Sequence, residues 1–199
     1  MLQAATRLLQ TRGYYGTGLN DVLAESGAPR GSLYFHFPGG KGQLALEATR
    51  AAVDEVTLTT ARTLAEAETP GAALRSISER IAELMRTTNY ERSCPISSLV
   101  HDGANDLPAL LDLCREAFDT WMGLMGEMLR KSGLPPHRAK TLSLLAQTVF
   151  QGGAIVARTH HDGRMLLDAI DEVARLIDEE VANVSGKSKG RKSTKTARA

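Results

Sequence analysis

Apolar side chains recur at helical spacing along almost the whole chain, and the period-two alternation of strands is absent. Leu2, Ala5, Leu8 and Leu9 share one face of a predicted helix over 2–12, which Gly13 ends as a left-handed cap. Leu19, Val22 and Leu23 form the apolar face of a short second helix over 19–26, with Thr17 before it and Gly27 after it. Pro29 suits the start of a third segment over 30–37, and Pro38-Gly39-Gly40 breaks the chain before a long, mostly polar helix over 41–67. Longer helices follow over 72–88, 107–132, 136–161 and 164–184, with a short piece near 96–102. Pro70, Pro95, Pro108 and the pair Pro135-Pro136 punctuate them, and no repeat of solenoid length is present. The fold class is therefore all-α.

Composition narrows this picture. A length of 199 residues suits one or two domains, and 42% hydrophobic residues suffice for a packed core. No apolar run approaches the ~18 residues of a membrane span, and the first residues lack the pattern of a signal peptide. The two cysteines, Cys94 and Cys114, do not make a disulfide framework. A cytoplasmic protein with no membrane association is expected.

Charge changes the picture more. The formal net charge is +1, but residues 1–50 carry five Lys/Arg against three Asp/Glu, and 51–184 carry thirteen against twenty. Residues 185–199 carry six Lys/Arg and no acid. An acidic body thus lies between two basic ends, the last of them Lys/Ser/Gly/Thr-rich and expected to be disordered.

The candidate chemistry lies between Thr17 and Lys41. Two short helices joined through Gly27-Ala28-Pro29 make a helix-turn-helix, whose second helix enters the DNA major groove with its first residues at the base edges. Those residues are Ala28, Pro29, Arg30, Gly31 and Ser32. The Arg30 guanidinium matches guanine O6 and N7, small Ala28 and Gly31 allow close approach, and Ser32 has a hydroxyl for a phosphate or base. Leu33 and Phe37, four apart, should face inward against Leu8, Leu9, Val22 and Leu23.

The stretch resembles the TetR family of transcriptional regulators. The similarity runs from Leu2-Gln3-Ala4-Ala5 through Gly13-Tyr14-Tyr15-Gly16-Thr17 and Asp21-Val22-Leu23-Ala24, then through Gly27–Pro38 to Lys41. The resemblance implies phosphate contacts from Thr17, Tyr34, His36 and Lys41, and base reading by Arg30 and its neighbours. Lys41 begins a helix, where N–H groups already favour an anion. Each residue has a plainer reading. Thr17 suits an N-cap, Tyr34 alone suits a half-buried core position, and His36 alone suits the surface. Within the constellation, DNA contact is the better reading for Tyr34, His36 and Lys41.

The family usually carries polar or basic residues ahead of its first helix, whereas this chain starts almost inside that helix. Either Met1 is a misassigned start or an arm that grips the backbone is absent. The plainer reading of the basic segment 185–199 is a solvated end, and the sharper one is that it adds non-specific attraction for phosphates in place of that arm.

Residues 71–184 contain no catalytic set. His160-His161-Asp162 diverge around a helix end, His101-Asp102 is equally ambiguous, and the cysteines lack metal or redox spacing. No metal, cofactor or enzymatic activity is expected, although a small helical enzyme using Cys94 or the histidine pair is one alternative. A ligand-insensitive architectural DNA binder is another. Phe118, Trp121, Met122, Met125 and Leu129 follow helical spacing on one segment, and Leu144, Leu145, Thr148, Phe150 and Ile155 line the next, most of them as ordinary core. Ser93-Cys94-Pro95-Ile96, with Phe118 and Trp121, is similar to the LmrA/YxaF-like branch.

The resemblance implies a ligand pocket in this region, with Phe118, Trp121, Met122, Met125 and Gln147 nearby and a small apolar or aromatic effector. It further implies a homodimer through the last two long helices. Gly152 and Gly153 inside a helix mark a close backbone approach there. The expected organisation is a helix-turn-helix domain over 1–50, a ligand-binding and dimerisation domain over 51–184 and the tail. The expected function is repression from a palindromic operator, relieved by the effector.

Overall fold

A computed structural model describes the backbone of residues 1–102 and 106–196 and the side chains of 1–102 and 106–186. Among the described residues every regular element is helical: α1 Leu2–Arg12, α2 Leu19–Ser26, α3 Arg30–His36, α4 Gly40–Glu66, α5 Pro70–Thr87, α6 Ser97–Asp102, α7 Pro108–Lys131, α8 Pro136–His160 and α9 Arg164–Thr196. The breaks follow the Gly and Pro punctuation to within about two residues, except at the far end. The last apolar face stops near Val184, but α9 continues to Thr196, because Ser, Lys and two glycines weaken a helix without the steric stop a proline supplies. Residues 197–199 of the basic segment lie outside the described residues.

The chain forms two compact units, the first Met1–Thr59 with Glu83–Asp119, the second Thr60–Ala82 with the chain from Thr120 onward. The helix-turn-helix segment therefore belongs to a unit larger than 1–50. In the first unit, Ala4, Ala5, Leu8 and Leu9 of α1 are buried, as are Val22, Leu33, Phe37 and the Leu44, Ala45, Ala48 face of α4. A cavity of only about 10 Å³ is left where α1, α2 and α4 meet, lined by Ala5, Leu9, Val22, Lys41 and Leu44 among others. Met85, Cys94, Ile96, Leu99, Leu110 and Cys114 are buried in the same unit.

The second unit is organised by α8 and α9, which pack along one another. Leu166, Ile170, Val173, Ala174 and Ile177 give α9 an inward stripe, and Ala139, Leu142, Ala146, Ala154 and Ala157 give α8 one. Gly153 is explained by this packing, since a Cβ there would lie 2.9 Å from Leu166 Cδ1 and 3.3 Å from its Cα. Arg138 pairs with Glu180 across the two helices, which holds the carboxyl of Glu180 below its ordinary range. At the start of α5 the Gly71 N–H donates to Asp178 at 2.9 Å, and Arg75 donates to Asp171 at 2.8 Å.

The opposite face of α8 is apolar and uncovered. Leu144 (54% exposed), Leu145, Ile155 (49%) and Val156 lie on it with Thr148 and Gly152. Leu144, Leu145 and Ile155 are thus corrected from core positions to surface ones. Periodicity reveals an apolar face, but the same spacing serves for burial within the chain or against something else.

Candidate nucleic-acid interface

Gly27 ends α2 in the left-handed region (φ 66°, ψ 12°), and a Cβ there would meet nothing within 4 Å, so backbone conformation rather than space favours glycine. Pro29 holds the cap position of α3 with extended backbone, and the Ser32 N–H donates to its carbonyl at 3.0 Å. Leu33 is fully buried and Phe37 nearly so. With roughly 100° between successive residues, these two anchors turn Gly31, Tyr34, Phe35 and His36 away from the buried side, while Arg30, three residues before Leu33, lies on the anchored side but at the open first turn of the helix. All five are exposed, Tyr34 at 56% and Phe35 at 82%.

Arg30 donates from Nη2 to Asn20 Oδ1 of α2 at 2.8 Å. Asn20 thus steadies a long, exposed cation, a role no local sequence signal announced. Lys41, the second residue of α4, sets its Nζ 4.6 Å from the ring centroid of Tyr14, a cation–π contact that holds the ammonium beside the α1–α2 connection. Ala28 and Ser32 are half-buried, and Pro29 is exposed. Elsewhere in the unit, Arg7 is engaged with Glu25 at 2.7 Å and Arg12 with Asp21 at 3.8 Å.

Thr17 is a correction. Its side chain is only 4% exposed, and its hydroxyl donates to the Gly13 carbonyl at 2.7 Å. The cap of α2 is instead Gly18, whose N–H donates to the Asp21 carboxylate at 3.2 Å. A threonine one residue ahead of the cap closes the preceding turn and leaves no hydroxyl for a phosphate. Gly13 also differs from a left-handed cap: at φ 70°, ψ −173° it occupies a region nearly restricted to glycine. A Cβ there would lie 2.7 Å from Asp102 Oδ2.

Asp102 belongs to a set of long-range polar ties that hold the α1–α2 connection. Its carboxylate accepts from the Tyr15 N–H at 2.7 Å, and the Tyr15 hydroxyl donates to Asp106 at 2.8 Å. The bond to Asp106 raises the Tyr15 phenol above its ordinary value. Ser98 of α6 donates to the carbonyls of Leu9 and Gln10, at 2.8 and 2.9 Å, and Arg92 donates to Gln10 Oε1 at 2.6 Å. These ties join residues about ninety positions apart, which no local pattern reveals.

Cys94 and Cys114 are buried and reduced, and burial, with Cys94 close by, pushes the Cys114 thiol up to about 11. His161 takes a left-handed conformation (φ 51°) at the end of α8, and Asp162 is held by Arg164 at 2.7 Å. Among the described residues no three His, Cys, Asp or Glu side chains group as metal ligands would.

Two family comparisons decide the assignment. Residues 1–48 match the family described as bacterial regulatory proteins, tetR family, and residues 70–172 match the C-terminal domain of LmrA/YxaF-like transcriptional regulators. The chain belongs to the TetR family. It is 35% identical to the HTH-type transcriptional regulator LmrA of Bacillus subtilis over 167 residues, 84% of this chain and 89% of that protein. The uncharacterized HTH-type transcriptional regulator YxaF of the same organism is 30% identical over 177 residues, 89% of this chain and 93% of that one. Among solved structures, a TetR transcriptional regulator from Legionella pneumophila superposes with TM-score 0.77 at 17% identity, covering 90% of this chain and 94% of that one. A cysteine mutant of the TetR family regulator CifR, complexed with 26-bp double-strand operator DNA, gives 0.75 at 20%, covering 87% and 93%. At these identities the solved structures establish the shared fold.

This TetR-family chain is thus a helix-turn-helix transcriptional regulator, as its sequence led us to expect. Of the residues expected near an effector, Phe118, Trp121, Met122 and Met125 follow one another along α7, and Gln147 lies on α8. Trp121 and Met125 are buried, and Phe118, Met122 and Gln147 are half-buried. Phe118 belongs to the first compact unit and the other four to the second. Two features escaped the sequence reading: the exposure of Phe35, to which it assigned no role, and the partnership of Asn20 with Arg30.

Proposed function

We propose that this TetR-family regulator binds a palindromic operator as a homodimer, represses transcription there, and releases the DNA when a small apolar or aromatic effector binds. The observation that carries the reading is the exposed part of α3, with Tyr34 and His36 turned away from two buried anchors and Arg30 exposed at the helix's first turn. Arg30 reads bases, with Ala28, Pro29, Gly31 and Ser32 as close neighbours, while Tyr34, His36 and Lys41 hold phosphates. Release is a population shift: an effector near Trp121, Met122 and Met125 favours a spacing of the two α3 helices that mismatches successive major grooves.

The homodimer is supported by the bare apolar face of α8. Leu144, Leu145, Ile155 and Val156 surround Gly152, where a Cβ would meet nothing within 4 Å. A patch of that kind marks an interaction surface, and a glycine in it admits a second backbone. No described helix is long and apolar enough to cross a membrane, and we place the regulator in the cytoplasm.

The test is footprinting on DNA selected by the protein from a random pool, with Ile155→Asp beside the wild type. Two protected half-sites about one helical turn apart are expected, with a molecular mass of twice the chain in sedimentation. Ile155→Asp is half-exposed and should fold. It should sediment as a monomer and lose on the order of 100-fold in operator affinity, because the second half-site is no longer bound intramolecularly. Uniform coverage of DNA, or an Ile155→Asp variant that remains dimeric, refutes the corresponding half of the proposal.

The basic segment 185–199 adds sequence-independent attraction for phosphates in this reading. Removing residues 186–199 should flatten the dependence of log affinity on log salt, by a slope of about 0.9 for each phosphate no longer neutralised. An unchanged slope excludes that role.

A further inference from the structure

We propose that Phe35 is a specificity-determining residue that recognises the 5-methyl group of a thymine in the major groove. The inference rests on the assignment of α3 as the recognition helix. Leu33 and Phe37 define the buried side of α3, and at roughly 100° per residue Phe35, midway between them in sequence, points about opposite to it. Phe35 is therefore the most outward side chain of the helix, and its exposure of 82% is the largest of any exposed large hydrophobic residue described. Tyr34 lies to one side of it, and Ser32 and His36 to the other, while Arg30 sits at the first turn of the same helix.

Two features suit the ring to a groove rather than to water. Gly31 lies one turn earlier on the same side, and a Cβ there would meet nothing within 4 Å, so the approach to the Phe35 ring is open. The His36 ring meets Phe35 edge-on, with centroids 5.1 Å apart, which restrains the phenyl group from folding back. A phenyl group has no donor for a phosphate oxygen. The major-groove edges of the base pairs display hydrogen-bonding atoms and one apolar group, the thymine methyl. Polar neighbours around a single apolar tip match that display: Arg30 finds a guanine and Phe35 finds a thymine nearby.

The experiment uses the full chain and DNA enriched from a random pool by binding to it. Each thymine of the enriched half-site is replaced in turn by deoxyuridine, which differs by the methyl group alone. Wild-type protein should bind the substituted probe about fourfold more weakly at one position, and roughly fifteenfold when both half-sites are changed. Phe35→Ala should bind thymine and uracil probes equally, near the wild-type affinity for the uracil probe. The ratio is taken within one protein, so it is independent of how much of a variant is folded. Equal wild-type affinity for both probes, a half-site without thymine, or a Phe35→Ala variant that keeps the ratio overturns the proposal while leaving α3 as the recognition helix. Failure to enrich any sequence overturns that assignment, and this inference with it.

Discussion

Leu33→Ala should destabilise the first compact unit by about 2–5 kcal/mol, the range for a fully buried leucine that leaves a cavity. α3 has seven residues and only two inward anchors, Leu33 and Phe37. A helix that short has no stability of its own in water, so its order derives from docking. The neighbouring packing is tight, with a cavity of about 10 Å³ between α1, α2 and α4, so the space left by leucine will not close cheaply. Chemical denaturation should show the loss, and hydrogen exchange should place it at α3 and its contacts rather than along α8 and α9. Operator binding should fall in proportion as α3 spends time undocked. A change below about 0.5 kcal/mol would mean that α3 is held by something other than this anchor.

Arg30→Ala should weaken binding to the selected operator by roughly 5- to 150-fold, corresponding to about 1–3 kcal/mol for a lost two-pronged base contact. Binding to unrelated DNA should change far less, because that binding depends on total charge near the phosphates. Arg30→Lys separates shape from charge. Lysine keeps the positive charge but lacks the planar fork and the geometry by which Asn20 Oδ1 holds Nη2 at 2.8 Å. It should therefore resemble Arg30→Ala on the operator and the wild type on unrelated DNA. Equal losses on both DNAs for Arg30→Ala would make Arg30 a phosphate contact instead. The two measurements come from the same titration with two probes, so neither variant's concentration error affects the comparison.

The sequence showed most of the helices because their ends are set by local chemistry. Gly27, Pro29, Gly40, Pro70 and Pro136 act within a turn of themselves, and each lies at or beside an observed boundary. The inward pair Leu33 and Phe37 was legible for the same reason, since four-residue spacing defines a face without reference to the rest of the chain. What was illegible depends on partners distant in sequence or outside the chain. Thr17 looked like a cap because its type and position suit one, but the Gly13 carbonyl claims its hydroxyl. Leu144 and Ile155 have the spacing of core residues, although they face away from α9. Gly153 and Gly152 are identical in sequence terms, yet one accommodates Leu166 and the other faces open space.

The grip of Asp102 and Asp106 on the Tyr14-Tyr15-Gly16 turn has a bearing on biosynthesis. Local helices form early as a chain emerges from the ribosome, but contacts between residues about ninety positions apart must wait for the later residue. The amino-terminal head is thus translated first and completed late, its connecting turn left ungripped until Asp106 has cleared the exit tunnel. A nascent chain that paused in the interval would carry α3 without the clasp that steadies its scaffold.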